Sequence, residues 1–98
     1  MIPTIKVLRG PFKGFVREIR EESFSIGRKE ENDFCIRDIF VSLNHCVIKR
    51  TEHGAFELFD KSSNGTWING KSVHKRNVLL RNKSTIGVGP VLFLFEFK

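Results

Sequence analysis

Three segments of the chain combine side chains that could hold an anion with residues that allow tight turns. They are Gly27-Arg28, the segment 42–45 (SLNH), and the longer segment 62–70. Arginine presents a planar fork of donors suited to phosphate oxygens, and a serine hydroxyl adds a further donor. Backbone N–H groups in a turn can also form a concave site for an anion. Each segment alone is common among proteins, so their combination is what predicts a phosphate-binding site.

The third segment holds more hydrogen-bonding side chains than an ordinary turn requires. These side chains are Ser62, Ser63, Asn64 and Thr66. Two Asn-Gly pairs, at 64–65 and 69–70, permit tight turns because both residue types accept positive φ. Ordinary turns would explain the glycines but not the crowding of hydroxyl and amide groups. His45 begins an apolar run in the second segment, and its position predicts a brace for the loop rather than an acid or base.

The elements that position these segments are predicted to be β-strands. Short runs rich in β-branched and aromatic residues lie between turn signals, at 4–8, 15–19, 24–26, 34–36, 46–49, 55–60, 66–68, 84–88 and 91–97. The last run places alternate residues, from Val91 to Phe97, on one apolar face. No stretch keeps a helical apolar period for long. We therefore predict an all-β antiparallel sandwich that carries the three segments in its loops.

Size and charge set limits on the function. The 98 residues suffice for a single domain, 1–98. Seventeen basic and 11 acidic residues give a formal charge of +6, which suits an anionic partner without identifying it. The chain shows no secretory signal and no apolar run near the roughly 20 residues of a membrane span. We expect neither secretion nor a membrane partner, and we expect Cys35 and Cys46 to be reduced.

The order and spacing of the three segments resemble the forkhead-associated (FHA) domain family. That family's signature is Gly-Arg, then Ser-x-x-His, then Ser-x-Asn-Gly-Thr-x-x-Asn-Gly. Here it is G27-R28, then SLNH at 42–45, then SSNGTWING at 62–70. The resemblance extends from about Ile5 to Phe97. It implies an FHA-type sandwich of about eleven short strands in two sheets, which binds phosphothreonine peptides through loops at one end.

The resemblance also implies a role for each matching position. Arg28 should pair with the phosphate, the Ser42 hydroxyl and the Leu43 backbone N–H should donate to it, and Ser63 should lie beside the phosphothreonine. Asn64 should hydrogen-bond the peptide backbone and set its register. The remaining matches should shape the loops; they are Gly27, His45, Gly65, Thr66 and Asn69. The expected partner is a phosphothreonine-containing protein or peptide, bound by a monomeric domain with no cofactor, no metal and no direct contact with nucleic acid.

Two positions depart from the patterns of relatives. Many relatives carry Lys, Arg or Asn directly after the phosphate-binding serine, whereas this chain has Leu43. Phe40 stands where some relatives have an arginine that selects an acidic residue downstream of the phosphothreonine. Phe40 is therefore the candidate for a different specificity, with an apolar preference, or none, at the third position after the phosphothreonine.

The matches around Gly27-Arg28 and 63–67 look most like FHA domains of eukaryotic checkpoint and meiotic Ser/Thr kinases. This likeness predicts docking of phosphorylated partners in DNA-damage and cell-cycle signalling, in a nuclear or nucleo-cytoplasmic protein. The chain itself has no kinase motif, so we do not expect it to be an enzyme. Its strand-like ends predict a domain excised from a longer signalling protein.

Four other interpretations were weighed. A hydrolase triad of Ser42, His45 and Asp38 or Asp60 lacks a nucleophile elbow, and its Ser-to-His spacing suits proton transfer poorly. A metal site built from Cys35, Cys46, His45 and His53 lacks zinc-type ligand spacing.

The other two interpretations concern binding. The basic stretch 71–83 permits a nucleic-acid-binding β-domain, although such a run of charge is usually a solvated face. The second is a degenerate FHA scaffold that makes contacts independent of phosphate. Binding of phosphorylated and unmodified peptides with equal affinity would identify such a scaffold.

Overall fold

Residues 2–97 of the computed structural model form two packed β-sheets. The strands are β1 (Thr4–Arg9), β2 (Val16–Glu18), β3 (Ser23–Gly27), β4 (Phe34–Cys35), β5 (Cys46–Arg50), β6 (Phe56–Asp60), β7 (Thr66–Ile68), β8 (Lys71–Val73), β9 (Asn77–Leu80), β10 (Ser84–Val88) and β11 (Val91–Glu96). One sheet has the order β2-β1-β11-β10-β7-β8, and the other has the order β4-β3-β5-β6-β9. The predicted all-β sandwich is therefore confirmed, and no helix that could cross a membrane occurs in residues 2–97.

The core lies between the inner faces of the two sheets and follows the alternation of each strand. On β11, Val91, Phe93 and Phe95 are buried, and Leu92 and Leu94 on the opposite face are half-buried. Phe93 and Phe95 meet aromatic rings of the other sheet edge-on, with centroids 5.0 and 5.5 Å from those of Phe34 and Phe56 respectively. Aromatic contacts of this geometry add to the energy of apolar burial. The apolar face that the sequence predicts for the last strand thus packs against the other sheet.

One strand pair departs from the antiparallel arrangement expected from the sequence. β4 pairs with β3 in parallel, with Ile26 opposite Phe34 and Gly27 opposite Cys35. Parallel neighbours usually need a long crossover. Here the short loop 28–33 suffices because only two residues of each strand are paired. The consequence is a compact loop folded back on the end of β3, directly after Gly27.

The stretch 71–83, which the sequence suggests is a solvated basic run, contains two strands. Val73 in β8 and Leu80 in β9 face the core and are buried. The strands before and after the Asn69-Gly70 turn pair as a hairpin, and both turn residues have positive φ, 50° and 81°. Positive φ at both central positions is the geometry that an Asn-Gly hairpin turn requires. β8 and β9 form the outer edges of their respective sheets.

Candidate functional site

Arg28 emerges directly after β3 with its guanidinium fixed at one edge and open at the other. Its Nε donates to the Val41 carbonyl over 2.9 Å, and its backbone N–H donates to the Ser42 carbonyl, also over 2.9 Å. The side chain is exposed and forms no ion pair with a carboxylate of residues 2–97. The two terminal nitrogens therefore remain available to an external anion, while the Nε contact orients them.

Gly27 allows the loop 28–33 to fold closely against the segment 42–45. A Cβ at this position would lie 2.4 Å from the Leu43 carbonyl oxygen and 3.0 Å from the His45 nitrogen. The same gap admits the Asn32 amide, whose Nδ2 donates to the Lys29 and Leu43 carbonyls over 2.8 Å each. Gly27 is therefore a structural position, because only glycine leaves room for this approach.

The Ser42 hydroxyl joins the second loop to the third and keeps a hydrogen to donate. Its Oγ accepts the backbone N–H of Ser63 over 3.0 Å. A hydroxyl has one donor and two acceptor positions. Accepting from Ser63 orients the Oγ and leaves its O–H free to point at an anion beside Arg28. Arg28 and Ser42 are thereby placed together, as the sequence predicts.

His45 is a buried brace between the second and third loops. Its Nδ1 accepts the Ser42 backbone N–H over 3.1 Å, so its Nε2 carries the proton and donates to the Gly65 carbonyl over 3.0 Å. Burial lowers the pKa of His45, outweighing the opposing effects of the Gly65 carbonyl and the Asp60 carboxylate. The neutral ring therefore holds both loops in register.

Asp60, at the end of β6, organises the third loop from below. Its Oδ1 accepts the hydroxyls of Ser62 and Thr66, each over 2.7 Å, and its Oδ2 accepts the Lys75 backbone N–H over 2.8 Å. The Ser62 Oγ in turn accepts the Gly65 N–H over 2.7 Å. Burial by itself raises the pKa of Asp60, but these hydrogen bonds together hold it below its ordinary value. Asp60, Ser62, Thr66 and His45 are called the bracing network below.

The groups facing solvent form a second set, which we call the contact surface: Arg28, Ser42, Leu43, Ser63 and Asn64. The Leu43 side chain is half exposed, and its backbone N–H meets no acceptor within residues 2–97. The Asn64 Nδ2 donates to the Phe40 backbone carbonyl over 3.2 Å, which leaves the side-chain Oδ1 of Asn64 free to accept. Phe40 itself is 65% exposed. The predicted contact residues therefore lie on one exposed surface above the bracing network.

Asn69 lies apart from the contact surface. Its Oδ1 accepts the Thr85 N–H over 2.9 Å, and its own N–H donates to the Thr85 carbonyl. It therefore ties the β7–β8 hairpin to β10. The sequence predicts a loop-scaffold role for Asn69, but it gives no role in the phosphate site to two supporting residues, Asp60 and Asn32. The crowding of hydroxyls around Ser62 was the one available signal, since it implied a buried acceptor for them.

The geometry does not support the alternative catalytic and metal sites. His45 contacts the Ser42 backbone nitrogen rather than its hydroxyl, and both Asp60 oxygens are occupied by internal donors. Residues 2–97 hold no group of three potential metal ligands. Cys35 and Cys46 are free thiols; burial raises the pKa of Cys46 to about 12, and the Cys35 thiol donates to the Arg28 carbonyl. The exposed Arg28 guanidinium and the Ser42 hydroxyl are groups that could hold an anion.

Comparisons with known proteins agree with this geometry. The chain is 35% identical over 78 residues to a probable serine/threonine-protein kinase, fhkA, of Dictyostelium discoideum, in a match that covers 70% of the chain and 13% of the kinase. It is 31% identical over 90 residues to the glycogen accumulation regulator GarA of Mycolicibacterium smegmatis, covering 91% of the chain and 55% of GarA. The chain therefore spans only part of these curated relatives.

Structural and family-level matches point the same way. A solved structure from a structural and functional analysis of phosphothreonine-dependent FHA domain interactions superposes with a TM-score of 0.85 at 26% identity, covering 100% of this chain and 98% of that one. The family model described as FHA domain matches residues 24–89, which contain all three loops. The chain thus belongs to the FHA domain family, as a binding module rather than an enzyme.

Proposed function

We propose that the chain is a phosphothreonine-dependent protein–protein interaction module. Two observations carry this proposal. The Arg28 guanidinium is oriented by its Nε bond but forms no ion pair, and the Ser42 hydroxyl still has its hydrogen to donate. Both belong to a surface whose shape is fixed by buried hydrogen bonds beneath it. The related structure concerned with phosphothreonine-dependent FHA interactions supports the choice of ligand.

The phosphate would be held by three kinds of donor. A phosphorylated threonine carries about −1.5 to −2 charge and three acceptor oxygens. Arg28 supplies two N–H groups in a plane, Ser42 supplies a hydroxyl, and Leu43 supplies a backbone N–H. Charge-assisted hydrogen bonds contribute about 1.5–3 kcal/mol each. Affinity should therefore depend on the phosphate more than on any other single group of the ligand.

The peptide backbone would be positioned by the third loop. The Asn64 amide is already fixed by its bond to the Phe40 carbonyl, so its free oxygen is available to a peptide N–H. Ser63 lies beside the Ser42 hydroxyl and so beside the expected phosphate. Contact with the threonine methyl between the second and third loops would disfavour phosphoserine, which has no such methyl.

Residue preference beyond the phosphothreonine would depend on Phe40. Phe40 is exposed, its backbone carbonyl bonds the Asn64 amide, and its ring offers apolar surface in place of a charge. We propose an apolar preference at the third position after the phosphothreonine. A degenerate phosphothreonine peptide library provides the test, and strong selection of Asp or Glu at that position would contradict the proposal.

The central experiment is a calorimetric titration of matched phosphothreonine, phosphoserine and unmodified peptides into wild type and Arg28→Ala. Wild type should bind the phosphothreonine peptide best, and Arg28→Ala should weaken that binding roughly ten- to a hundred-fold. Arg37→Ala is the matched control, because Arg37 is also exposed but pairs with Glu30, 3.6 Å away. This control should bind like wild type.

Two results would reject the proposed function. Equal binding of all three peptides would identify a degenerate FHA scaffold that makes phosphate-independent contacts. Equal losses in Arg28→Ala and Arg37→Ala would show that the peptide responds to overall positive charge.

Analytical ultracentrifugation of the same samples tests the further proposal that the domain acts as a monomer.

We also propose a cellular setting for the chain. Similarity to a probable Ser/Thr kinase favours a signalling role, which we place in DNA-damage or cell-cycle checkpoint docking in the nucleus. The chain would then be one domain of a longer protein, since it spans only part of its curated relatives. Imaging of the tagged full-length protein before and after DNA damage tests this setting. Exclusion from the nucleus under both conditions would overturn it.

A further inference from the structure

No side chain of the basic stretch 71–83 belongs to the contact surface, and the fold places its cations in different surroundings. His74 and Lys75 are held against the third loop, since the His74 Nε2 lies 3.0 Å from the Ser62 carbonyl and the Lys75 Nζ donates to the Lys61 carbonyl. Lys71, Arg76 and Arg81 instead line a groove of about 370 Å³. Three cations therefore converge at a place that the proposed function leaves unexplained.

This groove runs between the two sheet edges, β8 on one side and β9 on the other. Arg76 directly precedes β9 and Arg81 directly follows it, so the two cations bracket an exposed strand edge. Among the described residues that line the groove there is no aspartate or glutamate. Nor does any of the three cations form an ion pair with a carboxylate of residues 2–97. The groove therefore presents positive charge with no internal counter-charge.

Apart from Asn69, the uncharged residues that line the groove are apolar. Val78 is half-buried, and Leu79, which is about half exposed, faces outward on β9. A nucleic-acid backbone is held mainly by neutralising many phosphates, for which three cations around valine and leucine are a poor match. An extended peptide suits the groove better, because its alternate side chains can offer carboxylates to the arginines and an apolar group to Leu79.

We propose that this groove docks an extended acidic segment of a partner protein, laid along the β9 edge, independently of phosphothreonine. Carboxylates of the segment pair with Arg76 and Arg81, and an apolar side chain between them packs on Val78 and Leu79. Cations at a sheet edge also serve to prevent edge-to-edge aggregation. The experiment must therefore show binding, and not only charge.

The test is fluorescence polarisation with a short labelled peptide in which glutamate alternates with valine and leucine. The double charge reversal Arg76→Glu with Arg81→Glu should weaken binding at least about ten-fold, because it replaces attraction at both ends of β9 by repulsion. The matched control is Lys6→Glu with Arg9→Glu, which changes the net charge equally on β1, a strand separated from β8 by three others. It should change binding less than about two-fold. The two double variants should bind a phosphothreonine peptide with equal affinity, which shows that both retain the fold.

A second comparison isolates the apolar contact. Leu79→Ser should weaken the glutamate–valine–leucine peptide but leave a glutamate–serine peptide unaffected. Three outcomes would overturn the proposal: no binding by wild type, equal losses in the two double variants, or tighter binding of labelled duplex DNA that depends on Arg76 and Arg81. The last outcome would assign the groove to nucleic acid instead.

Discussion

In the bracing network, each polar side chain is buried and bonded within the chain, whereas the contact surface a few ångströms above keeps donors and acceptors unused. Asp60 accepts three hydrogen bonds from its own chain, and His45 uses both ring nitrogens. Arg28 by contrast uses one of its three guanidinium nitrogens. Among residues 2–97, no buried side-chain nitrogen or oxygen lacks a partner.

This difference shows how a surface of short loops can be rigid and still available to a ligand. The internal hydrogen bonds form below the surface, where solvent is excluded and each bond holds a loop strongly. The side chains of Arg28, Ser42 and Asn64 are each oriented by one hydrogen bond and keep further donors or acceptors for a ligand. Substitutions in the bracing network should therefore reduce stability, and those in the contact surface should reduce binding alone.

The largest effect is expected from Asp60→Ala. The change removes the acceptor of Ser62, Thr66 and the Lys75 N–H together and leaves these donors without a partner. We expect a loss of about 3 kcal/mol in the free energy of unfolding, measured by urea denaturation. Asp60→Asn should cost less, because an amide oxygen can still accept from both hydroxyls. A loss no greater than that of the exposed Glu31→Ala would contradict the role given to Asp60.

A smaller loss of stability, combined with a loss of binding, is expected from Gly27→Ala. The new Cβ would lie 2.4 Å from the Leu43 carbonyl, which is backbone and must move. Overpacking of this kind costs about 1–3 kcal/mol. Because Leu43 belongs to the contact surface, the affinity for a phosphothreonine peptide should fall as well.

The control for Gly27→Ala is Gly54→Ala. Gly54 has positive φ but open space around it, so alanine there strains the backbone far from the loops. Its stability should fall by about 1 kcal/mol with no change in affinity. If Gly54→Ala weakened peptide binding as much as Gly27→Ala, stability alone would explain both results and the link between Gly27 and the contact surface would fail.

The sequence allowed more residues of the contact surface than of the bracing network to be identified. Arg28, Ser42 and Asn64 stand at fixed spacings that a family resemblance transfers directly, and the Asn69-Gly70 turn follows from local φ preferences. Asp60 could not be identified in this way. Two of its donors, Ser62 and Thr66, are near it in sequence and show only that some acceptor is required. The third donor, the Lys75 N–H, reaches Asp60 only when the β8–β9 turn folds back, and no local pattern encodes that contact.

The strands show the same division between local and non-local information. β11 was predictable because its alternation extends over six residues and one face is fully apolar. β9 was missed because it has only four residues, lies at a sheet edge and is flanked by cations. The parallel direction of β4 was unpredictable because two paired residues carry no signal of orientation.

Stability between pH 7.5 and 5 tests the bracing network without mutation of its carboxylate. Burial lowers the pKa of His45 in the folded chain, so between that pKa and about 6.5 the unfolded state binds more protons. Stability is therefore fully present above pH 6.5 and falls as the pH decreases, by at most about 1.4 kcal/mol for each pH unit. Protonation would also place an N–H against the Ser42 N–H.

Urea denaturation at several pH values provides the measurement. His45→Asn should lose most of this pH dependence, whereas His53→Asn should keep it, because His53 is exposed and contacts only the neighbouring Glu52, 3.9 Å away. Identical pH profiles for the two variants would show that other groups cause the effect. The window lies above the titration of Asp60, whose pKa is held below its ordinary value.

The smallest expected effect comes from Leu43→Arg, which adds to the contact surface instead of removing from it. The Leu43 side chain is half exposed and contributes only its backbone N–H to the proposed phosphate site. A new guanidinium beside the phosphate should strengthen binding of a phosphothreonine peptide about two- to five-fold, because exposed ion pairs contribute up to about 1 kcal/mol. The gain should shrink as salt is raised from low to physiological concentration, since exposed charges are screened.

Leu43→Gln is the matched control, with a polar side chain and no charge, and should bind like wild type. Unfolding free energy should be unchanged in both variants, because neither touches the bracing network. A loss of affinity in Leu43→Arg would mean that the leucine itself contacts the peptide, and the contact surface would then have to be redrawn with an apolar position next to the phosphate.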